Sequence, residues 1–307
     1  MSLATKIEKY IRENKQFTLQ ELYAEFGNSY QKHSIRARVY ESKQKIVRTG
    51  KGAYILAGAE IEAVIEQADS REQIFHISKA NIFYDLVFLD IPYRTRGQRS
   101  GGSGNRNMAE YDLIDPEEFK EILKGVENIL RTEESQVYFM IAGGKSSITE
   151  SYKYIRMFDE TGLQLNGEGS YLKLNKDGSI CNMAQHLMPA EIIQSYSFDG
   201  KQRDCTDDGS FTMDFALQRP KLARHGGYPT EKPLRLLEQI IKQATRAGER
   251  VIDLFAGSGV TLEAALGLGR KAHGVELSIE AIKGHILPRL EKFATGTNRL
   301  HFQPSLF

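Results

Sequence analysis

The spacing of apolar and polar positions divides the chain into two unequal parts. In the first 58 residues the pattern is helical. Leu3, Ile7, Tyr10 and Ile11 share one helix face, and Thr18 with Glu21 forms a capping box that opens a second helix ending near Gly27. Residues 30–44 suit a third helix with Ile35, Val39 and Tyr40 inward and Lys32, Arg36 and Lys43 outward; residues 45–57 then read as a hairpin that turns at Gly50-Lys51-Gly52. Residues 59–72 look like a charged helical linker. Beyond it the period switches repeatedly between two and 3.6. Strands are predicted at 74–77, 84–89, 137–141, 171–174, 192–198, 250–254 and 272–276, and helices at 116–130, 151–160, 232–245, 261–268 and 279–293. Such alternation predicts an α/β sheet with helices on both faces.

Composition narrows the picture. With 307 residues, 40% apolar and 26% charged, the chain can bury one large core or two unequal ones. No apolar run approaches the ~20 residues that span a bilayer, and residues 1–14 lack a signal-peptide core, so the expected location is cytoplasmic with no membrane partner. Cys181 and Cys205 are too few for a disulfide framework or a zinc motif, and His76, His186 and His225 lack ligand spacing, so no metal is expected. Charge is distributed unevenly: residues 1–58 hold eleven Lys and Arg against five Glu, a net of +6 that leaves −5 for the remainder. A basic module for a polyanion joined to a nearly balanced body fits that split.

Three short helices followed by a basic hairpin resemble a winged helix-turn-helix. That resemblance implies a third helix in the major groove of double-stranded DNA and a hairpin on its backbone, making Lys32, Arg36, Lys43, Arg48 and Lys51 candidate contacts. A helical cap whose charges face water is the alternative. The expected domains are therefore 1–58, the linker 59–72, and 73–307.

In the larger part, residues 251–257 (Val-Ile-Asp-Leu-Phe-Ala-Gly) followed by Ser258 and Gly259 read as a buried strand running through a glycine turn into a helix. Glycines let the backbone approach a ligand closely, and the helix start supplies free N–H groups. About twenty residues after Asp253 the next strand ends in Glu276, where a carboxylate can accept hydrogen bonds from both hydroxyls of a ribose. Upstream, Asp90-Ile91-Pro92-Tyr93 follows an apolar strand, at the end where α/β sheets form their sites. Between these motifs, residues 97–107 are rich in Gly, Ser, Asn and Arg and read as a mobile loop.

Taken together, the glycine turn, the preceding Pro229-Thr230-Glu231-Lys232-Pro233-Leu234 and the Asp-x-Pro-Tyr string resemble S-adenosylmethionine-dependent DNA amino-methyltransferases, over residues 71–293. The order, with the Asp-x-Pro-Tyr string first and the cofactor turn last, is that of the permuted or beta class. The resemblance implies a Rossmann-like fold with a mostly parallel sheet. It assigns Asp253, Phe255, Gly257, Ser258, Gly259 and Glu276, with Thr230 and Lys232, to S-adenosylmethionine, and Asp90, Ile91, Pro92 and Tyr93 to catalysis. Direct transfer is implied, without metal or covalent enzyme intermediate. A ring amino group is a poor nucleophile because its lone pair is delocalised; acceptors on both N–H bonds, from Asp90 and the Ile91 carbonyl, direct that lone pair at the donor, and Tyr93 stacks on a base rotated out of the duplex. Arg94, Arg96, Arg99 and Arg106 suit a loop that closes over phosphates.

Asp at the first position of the string accompanies adenine in that class, so N6 of adenine leads over N4 of cytosine or an RNA base. Ile91 stands where the family has its first proline, and it keeps open a DNA-binding regulator with an inactive fold. Tyr228 stands where that segment often has His. Relatives of the class are often homodimers and belong to restriction-modification systems.

Overall fold

In the N-terminal part, apolar positions three and four apart do close on one another. A computed structural model describes residues 2–14, 16–40, 46–50, 53–56, 62–92, 113–142, 148–174, 190–205, 216–218, 228, 231–294 and 299–304. Leu3–Asn14 (α1), Gln16–Thr18 (β1), Leu19–Phe26 (α2) and Lys32–Tyr40 (α3) are followed by Ile46–Gly50 (β2) and Ala53–Leu56 (β3). Ile7, Ile11, Phe17, Leu22, Ile35 and Val39 are buried together as a separate small core. The three strands form an antiparallel sheet in the order β1-β3-β2. On α3 the buried Ile35 and Val39 leave Lys32, His33, Arg36 and Arg38 on the exposed side.

Residues 62–79 correct two expectations. The charged linker is not helical: Glu62–Gln67 is a strand, β4, inside the large sheet, and the strand expected at 74–77 lies within the helix Ser70–Lys79, α4. On β4 only Ala63 and Ile65 reach a core, while the flanking acids find partners on the neighbouring strand, Glu62 with Lys271 at 2.6 Å and Glu66 with His273 at 3.1 Å. Cross-strand pairing thus outweighs the helical appearance of a Glu-rich stretch. Ile74 and Ile77 are buried at the i, i+3 spacing of a helix, opened by Asp69, whose side chain accepts from the Arg71 N–H at 2.9 Å.

The remaining elements follow the expected alternation. They are Leu86–Leu89 (β5), Pro116–Glu127 (α5), Gln136–Ala142 (β6), Ile148–Ile155 (α6), Gln164–Leu174 (β7), Ala190–Ser197 (β8), Ala216–Gln218 (β9), Leu234–Ala244 (α7), Arg250–Asp253 (β10), Val260–Gly267 (α8) and Lys271–Glu276 (β11). A last helical segment runs through Ile279–Ala281 (α9), a π-helical turn at Ile282–Ile286 and Leu287–Leu290 (α10), before Arg299–Gln303 (β12), a strand the pattern did not announce. The Leu287 N–H closes the π turn on the Ile282 carbonyl, and Pro288 follows in the first turn of α10, where a missing N–H is tolerated.

The nine strands lie in the order β12-β4-β11-β10-β5-β6-β8-β7-β9. β12 through β6 are parallel, and β8 runs antiparallel to both β6 and β7. This is the α/β, Rossmann-like architecture with a mostly parallel sheet. Alternate residues of β5 serve opposite faces: Leu86 and Phe88 join α7 and α8, whereas Val87 and Leu89 join α4 and α5. From the central pair the chain leaves in opposite directions, from β10 through α8 to β11 and from β5 through α5 to β6. A cleft opens at the carboxyl ends of strands where such a reversal occurs. Among the described residues no helix is long and apolar enough to cross a membrane.

Candidate active site

Two adjacent strand ends bring the motifs together. Val251, Ile252 and Asp253 of β10 pair in parallel with Leu86, Val87 and Phe88 of β5, so the glycine turn and the Asp90 string leave the sheet side by side. Asp253 is only 2% exposed, and its carboxylate accepts the Phe255 N–H at 2.9 Å and a bond from Thr261. Burial pushes its pKa up to about 7, the two hydrogen bonds offset part of that, and the charges of Asp90 and Glu276 add to it.

Gly257 and Gly259 hold φ of +50° and +75°, the left-handed region that favours glycine. A Cβ at Gly257 would lie 3.1 Å from the Tyr228 ring, and one at Gly259 would lie 3.1 Å from Ile286 of the π turn. The Glu276 carboxylate accepts the Gly257 N–H at 2.7 Å and the Ser278 N–H at 2.9 Å, while burial raises its pKa. The acid suited to a ribose is therefore tied to the glycine turn itself. Two left-handed glycines, a carboxylate at the next strand end and the start of α8 fit a nucleoside cofactor.

Below the turn, Arg289 of α10 forms a buried hub. Its Nε donates to the Ser258 carbonyl at 2.8 Å, one terminal nitrogen donates to Glu263 of α8 at 2.5 Å, and the other donates to Glu231 at 2.6 Å. Lys292 also pairs with Glu263. Nothing in the linear pattern marks this hub, because its members lie far apart in sequence.

At the end of β5, Asp90 meets Lys232, whose Nζ stands 2.5 Å from Asp90 Oδ2 and 3.4 Å from Glu191 Oε2. Lys232, assigned from the sequence to the cofactor pocket, thus sits on the Asp90 carboxylate; Glu191 went unnoticed. Ile91 is buried in the α4/α5 core, and the Pro92 carbonyl accepts the Ile114 N–H at 2.9 Å. The turn that lacks its first proline is anchored by a buried side chain and a backbone bond instead.

Phe255 packs half-buried against the same core and Ser258 is buried. Lys32 and Arg36 lie exposed one helical turn apart on α3, with the Lys32 ammonium 5.6 Å from the Tyr23 ring centre, and Arg48 lies on β2. Tyr93, Arg94, Arg96, Arg99, Arg106, Lys43, Lys51 and Thr230 lie outside the described residues. No group of His, Cys, Asp and Glu among the described residues could hold a metal ion.

A family model described as DNA methylase, N6_N4_Mtase, matches residues 84–286. The chain is 35% identical over 101 residues to Type II methyltransferase M2.DpnII of Streptococcus pneumoniae, covering 33% of this chain and 35% of that protein. It is 40% identical over 70 residues to DNA adenine methyltransferase YhdJ of Escherichia coli strain K12, covering 23% and 24% of the two chains. These matches span about a third or less of the relatives' length. The fold is similar to that of the M1.HpyAVI-SAM complex, with a TM-score of 0.57 and 19% identity over 74% of this chain and 98% of that one.

Proposed function

The chain belongs to the DNA methylase family, and we propose that it transfers a methyl group from S-adenosylmethionine to N6 of adenine at a defined site in double-stranded DNA. The observation that carries this reading is the adjacency of the Asp90 string and the glycine turn at the ends of paired strands β5 and β10. The adenine-specific name of one relative and the Asp at position 90 favour N6. Because the family model covers N6 and N4 chemistry alike, cytosine N4 is the second reading.

When bound, S-adenosylmethionine supplies a methyl group on a positively charged sulfur, activated for transfer to nitrogen. Gly257, Gly259 and Glu276 hold its nucleoside portion, and Asp253 keeps the turn in shape through Phe255 and Thr261. Asp90 accepts one N–H of the target amino group and the Ile91 carbonyl accepts the other, which restores nucleophilic character to the nitrogen. Burial of Ile91 and the bond from Ile114 to Pro92 hold that carbonyl in place, which supports an active enzyme over an inactive regulator. Tyr93 stacks on the extruded base, and the arginines of residues 94–106 meet its phosphates.

The basic face of α3 and the strands β2 and β3 act as a winged helix-turn-helix that adds DNA affinity. The Type II relatives favour a role in restriction-modification, and a homodimer is tested by sedimentation velocity. Asp90→Ala is expected to abolish methylation while leaving S-adenosylmethionine affinity, measured by calorimetry, within about threefold. Retained turnover would remove Asp90 from the mechanism.

A further inference from the structure

We propose that Lys232 and Glu191 are positioning residues for the Asp90 carboxylate, holding it ionised and fixed in orientation toward the amino group of the target base. The inference rests on the methylation reading above and deepens it.

Asp90 and Glu191 flank the carboxyl end of β6, where Phe139 pairs with Leu89 on one side and Ala142 with Glu191 on the other. Lys232 reaches both from a third element. The next residue, Pro233, is the N-cap of α7, and Leu236, Leu237, Ile240 and Ile241 anchor that helix in the core. The ammonium is therefore set by the helix and is not a wandering surface charge.

Lys232 and Glu191 are each 8% exposed. Burying charges so deeply carries a desolvation penalty that their mutual attraction often only matches, so stability is a poor reason for the arrangement. Its place at the motif's first residue points to the reaction. Acids gather at the same strand ends: Asp253 of β10 feels the charges of Asp90 and of Glu276, and Glu191 of β8 pairs with the Lys232 ammonium. Loss of that cation would favour the protonated form of Asp90, a weaker acceptor for an amino N–H than the carboxylate. Lys232 supplies that cation at 2.5 Å from Oδ2, and the same ammonium forms an ion pair with Glu191 Oε2 at 3.4 Å.

The test uses the full chain with Lys232→Met, Lys232→Arg, Glu191→Gln and the Lys232→Met/Glu191→Gln pair. Three quantities are measured: the NMR titration midpoint of the Asp90 carboxyl carbon, kcat on DNA, and S-adenosylmethionine affinity by calorimetry. Lys232→Met is expected to raise the Asp90 midpoint by about one unit or more and lower kcat ~100-fold, with cofactor Kd changed less than about threefold. Lys232→Arg recovers part of kcat. Glu191→Gln lowers kcat about tenfold alone and costs nothing further beside Lys232→Met, because it acts through the lysine.

An unchanged Asp90 midpoint and kcat in Lys232→Met would overturn the proposal. So would a cofactor Kd raised tenfold or more with kcat retained, which would return Lys232 to the cofactor pocket. If the parent chain methylates no DNA, the functional reading falls, while the carboxyl titration still decides whether the lysine holds Asp90 ionised.

Discussion

Replacing Asp253 with Asn should change how stability depends on pH. The native carboxyl is 2% exposed, and burial pushes its pKa from 3.8 up to about 7. Folding therefore favours the protonated form. The contribution to stability is fully present below the unfolded value of 3.8, is lost as pH rises, and levels off above about 7. At roughly 1.4 kcal/mol per unit, the loss between about pH 5 and about pH 8 is on the order of 2–3 kcal/mol. An Asn at this position offers a carbonyl oxygen to the Phe255 N–H and to Thr261 without a charge to desolvate. Relative to the parent, Asp253→Asn should thus gain about that amount between the two pH values, read as the difference between urea unfolding free energies. Titration of groups far from the site cancels in the comparison, while Asp90 and Glu276, whose charges act on Asp253, contribute to the difference. Parallel pH dependences for parent and variant would refute the reasoning, since they would mean that Asp253 enters the folded state already ionised.

Three further outcomes follow from the same geometry. Arg289→Met leaves Glu231 without its buried cation and the Ser258 carbonyl without its donor, and should cost ~3–5 kcal/mol in a denaturant titration; a cost below about 1 kcal/mol would mean that the hub is dispensable. Gly257→Ala forces a side chain into a φ of +50° against Tyr228, and should weaken S-adenosylmethionine binding about tenfold in calorimetry through ~1–2 kcal/mol of strain; unchanged affinity would separate this turn from the cofactor. Replacing Lys32 and Arg36 together with Ala should weaken duplex binding on every sequence and make the log-log salt dependence shallower by about two; an unchanged salt slope would leave the basic face of α3 facing water.

What the sequence disclosed and what it concealed have different physical origins. Strands β5 and β6 are legible because burial on both faces leaves near-continuous apolar runs, and the glycine turn because two left-handed residues need Gly. β4 was not legible. Its Glu62 and Glu66 read as solvent-facing helix until Lys271 and His273 on the neighbouring strand are known. The helix over 74–77 looked like a strand because four residues contain too little of a helical period to separate the two.

At the site, Asp90, Asp253, Gly257 and Glu276 could be named from motif and spacing. The contacts that hold them could not: Lys232 is named from its motif as a cofactor residue, yet it lies 142 residues from the Asp90 it meets, and Arg289 lies 31 residues from Ser258. Such pairs become neighbours only when the sheet order sets β5 beside β10 and carries the last helix beneath the turn.

The central claim is tested most directly by incubating the protein with S-adenosylmethionine labelled in its methyl group and unmethylated genomic DNA, then digesting the DNA to nucleosides and separating them. The account predicts label in N6-methyladenosine of the deoxy series, absent when Asp90→Ala replaces the parent. Label confined to N4-methylcytosine would move the chemistry to the second reading, and no label in DNA from a protein that binds the cofactor would contradict the account.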